Sequence, residues 1–291
     1  MRPLPGGTVR RGGKRSNYGP LLRSSIARPA QSAGVLEMRV SESKTPGQPD
    51  GGGVAAVERA LSIVSALERA NGPVSLADLS RLTGFYKSTI LRLMASLEGN
   101  GYVTRLRDGG YDLGPAAFRL GIAYERRNGL RGHVLPVLQE LVDRGTESSS
   151  FHVRQDAGHR LCLFRVDSRH ATLDRVAAGD VYPIRVGAGG HVLLAFDGEA
   201  GPRYDAIRSE GWALSQGERD PACAAVAAPV FGPTGLFGTL SLSGPRERFS
   251  PERIAAMRAE LLPQAERLTR TLGGTWPAFQ HPAGTAERGA A

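Results

Sequence analysis

In the stretch GFYKSTILRLMASLEGNGYV, residues 84–103, Lys87, Ser88, Thr89 and Arg92 place two cations and two short hydroxyls within six positions. At 100° per residue, Ile90, Leu91, Leu93, Met94 and Leu97 gather on one face of a helix, while Ser88, Arg92, Ala95 and Ser96 gather on the other. The second face is small and polar and meets no acid before Glu98. Such a face suits close approach to an anionic polymer. Backbone N–H groups at the helix start and the hydroxyls can meet phosphates, and Arg92 can hold a guanine edge in bidentate fashion.

The neighbouring elements must position that face. Upstream, Ser75 and Asp78 form an S-x-x-D capping signal, Leu76, Leu79 and Leu82 follow at helical spacing, and Gly84 stops the run. Two short helices joined by a Gly-containing turn make a helix-turn-helix. Val57, Ala60, Leu61, Val64 and Leu67 predict a first helix that ends near RANGP. Downstream, Tyr102 to Leu106 and Gly110 to Leu113 predict two short strands about an Asp108-Gly109 turn. The whole is a winged helix-turn-helix, with Arg105 and Arg107 on the wing, either beside DNA phosphates or the minor groove or simply as solubilising charge.

Composition sets the outer limits. The 291 residues suffice for two domains, and 41% hydrophobic with 22% charged residues is ordinary for a globular chain. No apolar run approaches membrane-spanning length, and the twin Arg10-Arg11 has no apolar stretch behind it, so neither membrane insertion nor secretion is predicted and a cytoplasmic location is expected. Of the formal charge of +9, residues 1–37 supply six: seven basic side chains against Glu37. Residues 1–53, rich in Gly, Pro, Ser and Arg, predict a disordered basic tail that could attract DNA nonspecifically. Equally, Met38 could be the start of translation. Cys162 and Cys223 lack C-x-x-C spacing and read as buried thiols, and the six histidines show no ligand spacing, so neither metal nor cofactor is expected.

After the wing, Pro115 to Arg126 predicts a connecting helix within a linker at 115–130. A further amphipathic helix begins near Arg131, with Pro136 in its first turn. From 147 to 244 the pattern is strand-like: SSSFHVRQ, HRLCLFRV and TLDRVAAGD, then two strands about a Gly-Pro-Thr-Gly turn. HVLLAF and PRYDAIRSEG read as helices between them, and Pro251 to Leu272 as a final helix. The fold class is α+β: a DNA-binding domain at 54–114 and a sheet domain at 131–272, with 273–291 as a loose tail.

The winged unit, the stretch GAGGHVLLAF and the segment LSQGERDPACAAVAAPVFGPTGLFGTLSLSGPRERF together resemble the IclR family of transcriptional regulators, in order from about Val54 to Leu272. That resemblance implies a GAF-like α/β effector-binding domain and homodimers, some paired into tetramers. It also implies recognition of an approximately palindromic operator in double-stranded DNA, and a small-molecule effector, an organic acid or aromatic metabolite. It further implies a pocket at the Gly-rich turn Ala188, Gly189 and Gly190 and at Ser241 and Ser243, with Cys223 and Ala225 nearby. His191 stands where the family commonly has lysine.

Other classes are weaker. VGAGGHVLLAFDG lacks the third glycine and the following acid of a dinucleotide-binding motif, and no G-x-S-x-G elbow supplies a nucleophile, so an enzyme is not expected. An architectural DNA binder without effector response is the nearer rival, but it has no need of a second domain with a Gly-rich turn.

Overall fold

A computed structural model describes residues 53–280, and the remainder of both predicted tails lies outside the described residues. The first unit is a three-helix core with a wing. Helix α1 (Ala55–Glu68) packs on α2 (Leu76–Thr83) and α3 (Lys87–Gly99), and β1 (Val103–Arg105) pairs antiparallel with β2 (Tyr111–Leu113). Ile63, Leu67, Leu79, Ile90, Met94, Val103 and Tyr111 form its buried core. The apolar periodicity thus places the core, with corrections: Val57, Leu61 and Leu82, counted with it by spacing, are 54%, 60% and 61% exposed. Leu91, placed by helical projection on the buried face of α3, is 46% exposed at its edge.

Local chemistry sets the boundaries. Ser75 Oγ accepts the Asp78 N–H at 3.1 Å, capping α2. Gly84 ends α2 at φ +71°, a left-handed conformation that a side chain would strain. Thr83 and Ser80 hydroxyls donate to Leu79 O and Phe85 O, fixing the turn into α3. In the wing, Asp108 Oδ1 accepts the Gly110 N–H at 2.9 Å.

Helix α4 (Pro115–Asn128) starts with proline in its first turn, and Gly129, at φ +57°, separates it from α5 (Leu130–Asp143). Pro136, expected in the first turn of α5, lies further inside it. The chain then builds a six-stranded antiparallel sheet in the order β5-β4-β3-β8-β7-β6. Its strands are β3 (Ser148–Arg154), β4 (His159–Val166), β5 (Val181–Pro183), β6 (Ala213–Gln216), β7 (Cys223–Gly232) and β8 (Gly235–Pro245). The third predicted strand in this region, 172–180, is a correction: it forms turns, bends and irregular chain that carry buried Asp174.

The two sheet faces differ because side chains alternate along each strand. One face carries Phe151, Val226, Val230, Leu240 and Leu242, and α5 and α8 (Pro251–Thr271) cover it to form the main core. The opposite face carries Ser150 and His152 of β3, in register with Ser241 and Thr239 of β8. Helix α6 (Ala188–Phe196) lies over it, packed against α7 (Pro202–Glu210). A largely polar sheet face under a helix is the feature that makes a site.

The tail predicted to be loose from Gly273 is packed as far as Gln280. Phe279 meets Trp276 at 5.0 Å and Phe196 at 6.1 Å, ring centre to ring centre, and the Gln280 N–H donates to Ser209 O at 2.8 Å. Two aromatic residues in TWPAFQ have apolar partners that sequence could not show. Among the described residues no helix is long and apolar enough to cross a membrane.

Candidate functional site: a nucleic-acid face and a polar cavity

Helix α3 presents Lys87, Ser88 and Arg92 to solvent, with Thr89 half-buried behind them. Arg105 and Arg107 are exposed on the wing, and the Arg105 guanidinium lies 5.9 Å from the Tyr111 ring centre. The six predicted positions therefore divide between the start of one helix and one hairpin. Tyr86, missed in the sequence, stands 84% exposed at the N-terminal boundary of α3. An aromatic ring beside a helix start and two hydroxyls is a useful contact for a sugar-phosphate backbone.

The second site is a cavity of about 40 Å³ between the polar sheet face, the start of α6, and the loops at 174–176 and 219–220. Of the predicted effector residues, Ala188, Gly189, Cys223, Ala225, Ser241 and Ser243 line it. Gly190 does not. A Cβ at Gly190 would overlap the Ile184 carbonyl oxygen, so this glycine permits close packing of α6 rather than lining the cavity.

Charge, which the sequence reading overlooked, dominates the walls. The Asp174 carboxylate, fully buried, accepts from Arg165 at 2.6 Å, from Arg219 at 3.2 Å and from Ser243 Oγ at 2.8 Å. Arg160 reaches in from β4. Burial, with Arg219 nearby, lowers its pKa to about 10, so it stays cationic at neutral pH. His152 is held neutral: burial comes first, and the positive charges of Arg160, Arg165 and Arg219 add to it. Its Nε2 sits 2.9 Å from Ser150 Oγ. Ser241 Oγ donates to Val226 O at 3.2 Å.

A carboxylate closes the rim. Glu218, in the loop between β6 and β7, accepts the Gly187 N–H at 2.9 Å and faces His191 Nε2 at 2.6 Å, and it also pairs with Arg203. Burial opposes its charge, but these three donors together bring its pKa down to about 2. Because an ionised carboxylate only accepts, His191 Nε2 carries the proton.

The chain thus joins a winged helix-turn-helix, through a helix, to a sheet with a small polar cavity. Residues 56–107 match the IclR helix-turn-helix domain, and residues 202–270 match the bacterial transcriptional regulator IclR C-terminal domain. This chain belongs to the IclR family of transcriptional regulators. It is similar to the HTH-type transcriptional regulator BhcR of Paracoccus denitrificans, 26% identical over 77% of this chain and 89% of that protein. A crystal structure from Silicibacter, described as an ICLR transcriptional regulator, superposes with a TM-score of 0.67 at 25% identity, covering 78% of this chain and all of that one. An IclR homologue from Microbacterium hydrocarbonoxydans, crystallised with 4-hydroxybenzoate, shares the fold at a TM-score of 0.61 and 18% identity, over 75% of this chain and 100% of its own. As an IclR-family member the chain is a DNA-binding transcriptional regulator, from a family of regulators and not of enzymes.

Proposed function

We propose that this regulator changes its operator affinity when a small organic anion occupies the cavity beneath α6. The observation that carries the proposal is the cavity itself, lined by cationic Arg160, the first turn of α6 and the serines Ser215, Ser241 and Ser243. A helix N-terminus and a buried cation both favour negative charge. The ligand seen in the Microbacterium homologue, 4-hydroxybenzoate, is an anion of this kind. Ala188, Gly189, Cys223, Ala225, Ser241 and Ser243 form the surrounding wall, and Gly190 sets the height of the helix above it.

On the DNA side, Lys87, Ser88, Thr89 and Arg92 enter the major groove, and Arg105 and Arg107 meet the backbone or the minor groove alongside. A second copy of the chain completes the reader. Phe118, Leu120, Ile122 and Tyr124 of α4, and Val57 and Leu61 of α1, are large apolar side chains left substantially exposed, and a partner helix pair from another copy would cover them. Two copies then place two recognition helices on an approximately palindromic operator. Effector binding shifts the population between arrangements of differing DNA affinity, since a ligand changes an equilibrium only by its preference for one state.

The test is a gel shift on DNA from the gene's own upstream region, at fixed salt, with scrambled competitor and a panel of small carboxylates that includes 4-hydroxybenzoate. A specific shift altered by one carboxylate is the expected result. Binding equal on scrambled DNA and unchanged by every acid would replace the proposal with an architectural DNA binder.

A further inference from the structure

We infer that Arg160 is the anion anchor of this cavity, holding a planar carboxylate through the Nε/Nη2 edge of its guanidinium beneath Gly187 and Gly189. The inference rests on the effector reading above and makes it more specific.

Arg160 sits on β4 with only 5% of its surface exposed. One end of its guanidinium is fixed: Nη1 donates to Pro183 O at 2.8 Å and to Val186 O at 2.6 Å. The Tyr182 ring lies 5.3 Å from its centre. No carboxylate pairs with it among the described residues, and its buried Nε has no hydrogen-bond partner. A buried charge held only by two carbonyls and a ring is costly unless an anion completes it.

The remaining edge has a direction. A Cβ placed on Gly187 would lie 3.2 Å from Arg160 Nη2, and one placed on Gly189 would lie 3.8 Å from Nε. The same point above Gly189 is 3.2 Å from Thr239 Oγ1, a second buried group without a partner. Two unsatisfied donors therefore converge under the first turn of α6, where glycines leave room that any side chain would fill. The Nε/Nη2 edge is the fork that matches two carboxylate oxygens, with parallel charge-assisted hydrogen bonds.

The other polar groups leave this role open. Ser243 Oγ is committed to Asp174, and Ser241 Oγ to Val226 O. Asp174 already balances Arg165 and Arg219. Of the cations around the cavity, Arg160 is the one whose charge no acid answers by contact. The space, about 40 Å³, has room for a carboxylate head.

The experiment uses the full chain and measures melting temperature and calorimetric titration at constant ionic strength. The probes are sodium formate and 4-hydroxybenzoate, against sodium chloride, formamide and 4-hydroxybenzamide. Carboxylates are expected to stabilise the wild type where chloride and the neutral amides do not. Arg160→Met is expected to lower carboxylate affinity about tenfold or more, with Arg160→Lys intermediate, because it keeps the charge and loses the fork. Gly189→Ala, which inserts a methyl into the cradle while remaining helix-compatible, is expected to remove the response even if Arg160→Met fails to fold. No carboxylate preference in the wild type, or equal affinity in folded Arg160→Met and Gly189→Ala, overturns the anchor. An acid that alters operator binding equally in wild type and Arg160→Met leaves the effector function standing and removes Arg160 from it. Carboxylate binding through Arg160 with no change in operator affinity keeps the anchor and removes the regulatory reading.

Discussion

Glu218 Oε2 lies 2.6 Å from His191 Nε2, and the same oxygen accepts the Gly187 N–H at 2.9 Å, so one carboxylate ties the β6–β7 loop to the first turn of α6. Glu218→Gln should lower stability by about 1 to 2 kcal/mol at neutral pH, since a charge-assisted acceptor becomes a neutral one. The native carboxyl is held at about 2, below its ordinary value of 4.5, so its contribution is complete above about pH 4.5 and fades as pH falls toward 2. Urea unfolding of wild type and variant across this range should therefore converge toward the acid end. A constant difference at every pH would assign the effect to packing.

Asp174 is the hub of a buried charge network. Asp174→Ala leaves Arg165 and Arg219 without their shared acceptor, and Arg165 is almost wholly buried. Breaking one side of such a network costs about 3 to 5 kcal/mol. The urea midpoint should fall accordingly, and an unchanged midpoint would show that solvent reaches the two guanidiniums.

At the DNA-facing end, Arg92→Ala should weaken specific binding by about 1 to 3 kcal/mol and relax sequence preference at the base it reads. Competition against single-base operator variants separates the possibilities. Uniform weakening on every sequence would assign Arg92 to phosphate.

The segment after α8 has a measurable role as well. Phe279 touches Phe196 at the end of α6, and its ring covers Gly211 at the end of α7. Phe279→Ala should cost about 1 to 2 kcal/mol, less than a fully buried phenylalanine, and speed amide exchange selectively in α6 and α7. Uniform exchange across the sheet would show that the segment does not hold these helices.

Features set by near neighbours were legible in the sequence: the Ser75 cap, the Gly84 stop, the Asp108-Gly109 turn and the apolar face of α3. Leu91 escaped because helical projection ranks positions without knowing how wide the buried stripe is. Strands β5 and β6 lie at the sheet edges, are three and four residues long, and gain their identity from distant partners. The stretch around Asp174 looks like a strand by its alternation, yet its ordering comes from arginines on β4 and in the β6–β7 loop. At the cavity, the glycines and serines were visible through family likeness, whereas Arg160, His152, Thr239 and Asp174 were not. One signal was present: Arg160 and Cys162 share a parity along β4, so an inward-facing cysteine implies an inward-facing charge. A cation on the covered side of a strand needs an explanation, and here the explanation is the cavity.

The aromatic contacts at the end of the chain also give the molecule a built-in optical asymmetry. Its two tryptophans, Trp212 and Trp276, both belong to the sheet end, and the DNA-facing end has none. Trp276 stacks edge-on against Phe279 and Phe231, while Trp212 lies 5.2 Å from the Arg258 guanidinium. Tryptophan emission, excited selectively over tyrosine, therefore reports on the sheet end alone. A change in tryptophan emission that follows the addition of operator DNA would report a rearrangement at the sheet end, and can be timed without attaching a dye.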